Sequence, residues 1–277
     1  MHITPYNRQY KRAISDLLFY SHFSQVHLDW HDPDQWLDQN ETLTVTAWHH
    51  EKLVGVMGAS APFHNTSWLR VLAVQNQIDP KDVIPALWEY LKPSLSAELI
   101  TCLAVERWVQ SLLPHIGFGY YDEIITLRRT GFDLPKRPPI SGLIIRPLEH
   151  QDLNTVCHID TQAFPPPWQM SYDEIRQARR IAVISTIALL DDIPVGYQMS
   201  TLHQQSGHLA RLAVLPEMQG KGIGAMLLSD LIMRFLKKQI RSLTVNTQAT
   251  NHKSQRLYQT YGFQRTGYDL PVWLYGV

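Results

Sequence analysis

Four short stretches recur in one order along this 277-residue chain. Ile3-Thr4-Pro5 returns as Ile145-Arg146-Pro147, and Glu51–Ser60 returns as Asp191–Ser200. Leu69–Val74 (LRVLAV) returns as Leu209–Val214 (LARLAV), and the Gly-Phe ending at Phe118 returns at Phe263. The offsets are 142, 140 or 141, 140 and 145 residues. Near-constant spacing of that size marks an internal duplication. It confines the fold to two copies of one plan, each of ordinary domain size. Gly131–Pro135 and Gly267–Pro271 also look alike, but their offset of 136 is out of register, and the pair reads as coincidence. Between the copies stand Pro135, Pro138 and Pro139, which neither continue a helix nor fit a central strand. The expected division is a domain over 1–137, a linker over 138–142 and a domain over 143–277.

Composition narrows the class of protein. A hydrophobic content of 44% with 18% charged residues suits a chain that buries a core. Residues 1–135 carry 10 basic and 15 acidic side chains, a net −5, and residues 136–277 carry 15 and 10, a net +5. Neither half has the dense basic patch of a nucleic-acid binder. A moderately basic half suits a polyanionic small ligand. The first eight residues lack the apolar core of a secretory signal. The longest apolar run, near Ile181–Leu190, is about half of the ~20 residues a membrane span needs. The two cysteines, Cys102 and Cys157, suggest neither a disulfide framework nor a metal site. A cytoplasmic protein with no membrane partner is the expectation.

In the second half the pattern predicts a mixed α+β order. Ile144–Arg146 is extended, Asp152–Gln162 and Tyr172–Arg180 are helical, and Ala182–Leu190 and Val195–Leu202 are strands joined by a turn at Asp191–Pro194. His208–Leu215 is a further strand. From Ile223 to Lys238 apolar residues fall at helical spacing. Ser242–Thr247 is a strand, and Asn251–Tyr261 a helix closed by Gly262.

The strand at His208–Leu215 runs into Gln219-Gly220-Lys221-Gly222-Ile223-Gly224-Ala225, and the helix starts there. Glycine permits close backbone approach and left-handed dihedrals. A helix start leaves N–H groups unpaired at the positive end of the dipole. Together these features cradle phosphate oxygens. A Walker A loop would need Gly-Lys-Ser/Thr, and a dinucleotide fingerprint Gly-x-Gly-x-x-Gly with an acidic residue ~20 positions on. This loop has neither.

The spacing Gln219, Gly222, Gly224 (Gln-x-x-Gly-x-Gly) resembles the signature of the GCN5-related N-acetyltransferase (GNAT) family. Asn251–Phe263 (NHKSQRLYQTYGF) resembles the family's second signature, an Asn followed by a helix ending Leu-Tyr-x-x-x-Gly-Phe. The likeness covers roughly 143–277 and extends through the repeat to 1–135. It implies two tandem domains, each a mixed central sheet flanked by helices, and acetyl-coenzyme A as cofactor. It further implies that Leu212, Ala213 and Val214 contact the acetyl and pantetheine groups through backbone N–H donors, an oxyanion-type arrangement. Gly220 to Ala225, with Lys221 and Ile223, would hold the pyrophosphate, and Gln219 belongs to the same cofactor loop. Asn251 would contact the cofactor or cap its helix. Tyr258 stands where many relatives protonate the departing thiolate.

Relatives that acetylate protein N-termini carry a Glu five residues before the motif Asn. Here that residue is Asn246, which accepts no proton, so the general base is unassigned among His203, His208 and Glu217. Ala163–Ser171 (AFPPPWQMS) stands at the family's acceptor-binding loop and resembles a Phe-Pro-Trp segment of its ribosomal-protein N-terminal acetyltransferases. The first half reads QNQIDPKDVIPALWEYL after its LRVLAV, with Pro80 and Pro85 where the glycines would be. The repeat sets Leu113 opposite Tyr258. That half is therefore expected to be a degenerate copy without a cofactor loop, with Trp30, Trp36 and Trp48 in the core or an interface. The expected activity is direct transfer of acetyl to a primary amine in a ternary complex within the second half. A non-catalytic coenzyme A-binding or scaffold module is the alternative. The acceptor (protein N-terminus, polyamine, aminoglycoside or small metabolite) and the choice between monomer and homodimer stay open. No metal site is expected.

Overall fold

The computed structural model describes residues 1–39 and 43–276. Chain contacts divide it into two compact units, Met1–Asp122 with Leu270–Val277, and Glu123–Asp269.

In the first unit the elements are β1 (His2–Pro5), α1 (Lys11–Tyr20), β2 (Phe23–Val26), α2 (Pro33–Leu37), β3 (Leu43–His49), β4 (Lys52–Ala59), β5 (Thr66–Val74), α3 (Pro80–Leu91), β6 (Leu99–Leu103) and α4 (Arg107–Leu112). β7 (Gly119–Arg129) then leads into the second unit. There follow β8 (Leu143–Pro147), α5 (Leu153–Ala163), α6 (Tyr172–Ile181), β9 (Ile184–Leu190), β10 (Ile193–His203), β11 (Ser206–Val214), α7 (Ile223–Lys237), β12 (Ser242–Gln248), α8 (His252–Thr260) and β13 (Gln264–Gly276).

The duplication is visible element by element. β1, β3, β4 and β5 answer to β8, β9, β10 and β11, α3 to α7, β6 to β12, α4 to α8 and β7 to β13. Each unit carries a mixed sheet: antiparallel from its first strand to β5 or β11, and parallel at β5–β6 and β11–β12. The last strand of each copy serves the other half. Ile124–Arg129 of β7 pair with Leu243–Gln248 of β12, and Val272–Gly276 of β13 pair with Leu99–Leu103 of β6. The compact units therefore end at 122 and 269, whereas the sequence repeats suggest 137 and 143. Proline punctuation marks where one repeat stops, and strand pairing decides which core a segment joins. The expected linker is also packed: Ile140 lies against a core that includes Val195, Val214 and Ile223.

Burial follows the apolar periodicity. α7 buries Ile223, Leu227, Leu228, Leu231, Ile232 and Phe235, a stripe at i, i+4, i+5, i+8, i+9 and i+12 that covers one face of the sheet. Leu209, Leu243 and Val245 meet it from the strands. Gly207 makes room for this packing, since a Cβ there would sit 2.5 Å from Leu243 and 2.8 Å from Phe235. Trp36 is buried in the first unit's core. Among the described residues no helix is long and apolar enough to cross a membrane, and no three His, Cys, Asp or Glu side chains cluster to hold a metal.

Candidate active site

The site grows from one irregularity in the second unit's sheet. β10 and β11 pair from Gly196–Val214 to His203–Ser206, but the register slips between Met199↔Arg211 and Ser200↔Leu209, leaving Ala210 as an extra residue. A bulge bends its strand and increases local twist. Beyond it β11 and β12 part: their parallel pairing covers only Ser206–Leu209 with Ser242–Val245. Leu212, Ala213 and Val214 stay bonded to β10 on one side and face an opening on the other.

The glycine loop lies beside that opening. Gly220 and Gly222 hold φ of 78° and 86°, the left-handed region a side chain rarely adopts. Gly222 is the N-cap of α7 and offers no side chain to its first turn, so the helix start presents its N–H groups outward. Gln219 folds back, its Nε2 donating to the Val214 carbonyl at 3.1 Å. The motif glutamine thus fastens the loop to the strand. Asn251 is the N-cap of α8, its Oδ1 accepting from Ser254 N at 3.2 Å. The Tyr261 hydroxyl donates to the Ala225 carbonyl at 2.8 Å and lies 2.7 Å from Ser229 Oγ, tying α8 to the first turns of α7.

These parts enclose a cavity of about 860 Å³, within the range of small-molecule sites. Of the residues singled out from sequence, Leu212, Ala213, Val214, Gln219, Gly220, Gly222, Ile223, Gly224, Ala225 and Asn251 line it together. Lys221 does not line it: it is exposed, its Nζ 3.4 Å from Met218 Sδ. Tyr258 lies just behind the lining, 5% exposed in the α7–α8 core, while its neighbour Leu257 forms part of the wall. Burial pushes the Tyr258 phenol well above its ordinary pKa, and the Arg211 cation partly opposes the shift.

Sequence reading missed several lining residues. Lys253 and Arg256 on α8 bring positive charge to the cavity, and Gln248 and Thr250 flank it at the end of β12. In the sequence Lys253 and Arg256 stand inside the second signature, Asn251–Phe263, and count toward the basic balance of this half. Phe164, Pro165 and Trp168 bring the proline-rich loop to the same cavity. Behind that loop lies a buried cluster with no sequence signal: Asp160, fully buried on α5, is paired with Arg211 of β11 and Tyr197 of β10. None of the three candidate bases lines the cavity. Glu217 is exposed. His208 pairs with Thr201 at the far end of β11, four residues and about 13 Å of strand from Leu212. Asn246 is exposed on β12, opposite Thr126 of β7.

A mixed sheet that splays beside an uncapped, glycine-started helix defines a class. Residues 153–263 match the acetyltransferase (GNAT) family model, and the segment is a GNAT domain, an acyltransferase module. Among relatives, a putative ribosomal protein bS18-alanine N-acetyltransferase of Bacillus subtilis (strain 168) is 23% identical over 125 residues, 44% of this chain and 82% of that protein. The ribosomal protein bS18-alanine N-acetyltransferase of Haemophilus influenzae is 27% identical over 120 residues, 43% of this chain and 80% of its own. A tandem GNAT protein from the clavulanic acid biosynthesis pathway aligns over 99% of this chain and 98% of its own, with a TM-score of 0.67 at 13% identity. The tandem layout expected from the repeats is thus shared, as a fold, with a solved structure.

Proposed function

We propose that this protein transfers the acetyl group of acetyl-coenzyme A to a primary amine, at the cavity of the C-terminal unit. The observation that carries the reading is a contrast between the copies. In the C-terminal copy the opening beyond Leu209 leads into the cavity. In the N-terminal copy the equivalent opening is filled by the chain itself. β5 and β6 pair only over Thr66–Trp68 with Leu99–Thr101, and β2 occupies the gap, Phe23–Val26 against Val71–Val74. The Gln25 amide ties β2 across the gap: Oε1 accepts from the N–H of Val105 and of Glu106 at 2.8 and 3.0 Å, and Nε2 donates to the Leu103 carbonyl at 3.2 Å, leaving a smaller cavity of about 400 Å³ at the start of α3. At the start of α3 the Asp79 carboxylate accepts from Lys81 N at 2.9 Å, putting negative charge where the other copy leaves N–H groups for a phosphate. On this reading the N-terminal copy binds no coenzyme, and each chain holds one.

The cavity suits the cofactor. Outward N–H groups at Gly220–Ala225 meet a diphosphate, with Lys253 and Arg256 adding positive charge. The free edge of Leu212–Val214 takes up an extended amide chain as a strand would, and Asn251 fixes the start of α8 beside it. Bound acetyl-coenzyme A supplies an activated acyl carbon with a thiolate leaving group. Around it, backbone N–H donors of the Leu212–Val214 edge stabilise negative charge developing on the carbonyl oxygen. Tyr258, held protonated by burial, would give its proton to the departing thiolate as the amine nitrogen takes the acyl carbon, and would regain a proton from solvent. Asn246 leaves no carboxylate on β12 to take the amine's proton, which passes to solvent. The Haemophilus influenzae relative is named as an alanine N-acetyltransferase of a ribosomal protein and the Bacillus subtilis one as a putative enzyme of that kind, and a protein N-terminus is the acceptor class we favour.

The test is thiol release from acetyl-coenzyme A with an amine panel that includes a peptide bearing an N-terminal alanine. Amine-dependent thiol release, with acetyl found on the amine, supports the reading. Tight coenzyme binding without transfer to any amine would instead establish a non-catalytic binding module.

A further inference from the structure

The loop Phe164–Met170 is held by a single buried carboxylate and the cation paired with it. Asp160 is 0% exposed and accepts four hydrogen bonds: Arg211 Nε at 2.7 Å, Arg211 Nη2 at 2.8 Å, the Tyr197 hydroxyl, and the Met170 backbone N–H at 2.9 Å. Arg211 Nη2 also donates to the Trp168 carbonyl at 2.6 Å, and its guanidinium lies 3.6 Å from the Phe164 ring centre. Gln169 Nε2 donates to the Thr161 carbonyl at 2.9 Å. The loop is therefore pinned at Phe164, Trp168, Gln169 and Met170, three of the four through the Asp160–Arg211 pair. Phe164, Pro165 and Trp168 line the same cavity as Leu212, Ala213 and Val214. Arg211 is bonded covalently to Leu212, so one residue fixes both the strand edge and the wall facing the cavity.

A bidentate Arg–carboxylate pair specifies geometry in a way a lysine point charge does not. Once buried and fully bonded, such a pair is costly to disturb, because breaking it strands a charge away from water. A loop held this way does not yield to make room. Resting on the function proposed above, we infer that Arg211 is a positioning residue that, with Asp160, fixes the Phe164–Trp168 wall, and that this wall restricts the cofactor's acyl group to short chains. A longer acyl chain has to displace aromatic side chains whose backbone is anchored at both ends of the loop.

Calorimetric titration of the full chain with acetyl-, butanoyl- and octanoyl-coenzyme A tests this without knowledge of the acceptor. The wild-type chain should bind the octanoyl thioester about 10-fold or more weakly than the acetyl one, a discrimination typical of a pocket rejecting oversized groups. Arg211→Lys, which keeps the charge and loses the fork, should shrink that ratio to about 3-fold or less while acetyl-coenzyme A affinity stays within about 2-fold. Trp168→Ala, which removes part of the wall and leaves the ion pair intact, should likewise shrink the octanoyl-to-acetyl ratio to about 3-fold or less whatever its effect on acetyl-coenzyme A affinity, and it decides the matter if the lysine variant fails to fold. A merely structural cluster would lower the melting temperature of Arg211→Lys and leave the ratio unchanged. Equal affinities in the wild type, or a wild-type ratio in both folded variants, overturns the inference and spares the proposed function. Absence of coenzyme binding in the wild type overturns both.

Discussion

Tyr258 puts the proposed mechanism on a single proton. Burial raises its pKa and Arg211 partly offsets the rise, so the phenol stays protonated across the neutral and mildly alkaline range. Tyr258→Phe should lower turnover about 100-fold, the range for losing a general acid, with coenzyme affinity nearly unchanged. The residual rate should show the same dependence between pH 7 and 9 as the wild type, because this phenol does not titrate there. An unaltered rate removes Tyr258 from the chemistry. Gly222 carries a backbone requirement instead: at φ 86°, Gly222→Ala should destabilise the fold by about 1–2 kcal/mol, read as a lower melting temperature. At this scale the sequence was informative wherever a residue's role is local. The glycine φ values and the Asn251 cap follow from residue type and neighbours. Asp160 and Arg211 were illegible because they lie 51 residues apart, one within a helix and one within a strand, and only the fold brings them together.

Secondary-structure elements show where the same sequence plan diverges. The predicted helices and strands of the second half appear within a few residues of their expected ends; the helices and the strands from Ile184 to Val214 are long and strongly periodic. β2 had no such signal. It is a four-residue strand, FSQV, and its meaning depends on the gap beside Val71–Val74. The parting of β11 from β12 has no mark in the residue pattern, because a bulge is a matter of register between strands; only the resemblance to the GNAT family, whose corresponding strand splays from the next, implies it. His208 at the start of β11 carries a pH prediction. Burial holds its imidazole below the ordinary pKa, with His203 adding to the effect, and burial does the same to His27 in the other unit. The unfolded chain then binds more protons than the folded one below about pH 6.5. Stability should therefore be complete above that pH and fall as pH drops toward 5. Thermal melts of His208→Gln, compared with wild type across pH 5–8, should show a shallower decline. A decline of equal slope would mean that His208 contributes nothing.

The whole chain is two repeats whose last strands are traded. β12 has β7 as its outer partner, and β6 has the end of β13. Cutting at the proline punctuation, which the sequence marks as the boundary, separates strands from their partners. A fragment of residues 143–277 should fail to melt cooperatively, because the β12 edge is uncovered and Val272–Gly276 lose their pairing. A cooperative transition matching the intact chain would contradict this. The repeat was legible as a duplication, while the exchange was not, since an internal repeat reports ancestry and says nothing of which core each strand joins. The division of labour between the copies can be measured in one titration. Calorimetry of the full chain with acetyl-coenzyme A should give one site per chain, abolished by Gly222→Glu in the loop before α7 and unchanged by Asp79→Ala before α3. Two sites, no site, or a site that survives Gly222→Glu would contradict the placement of the cofactor in the C-terminal copy.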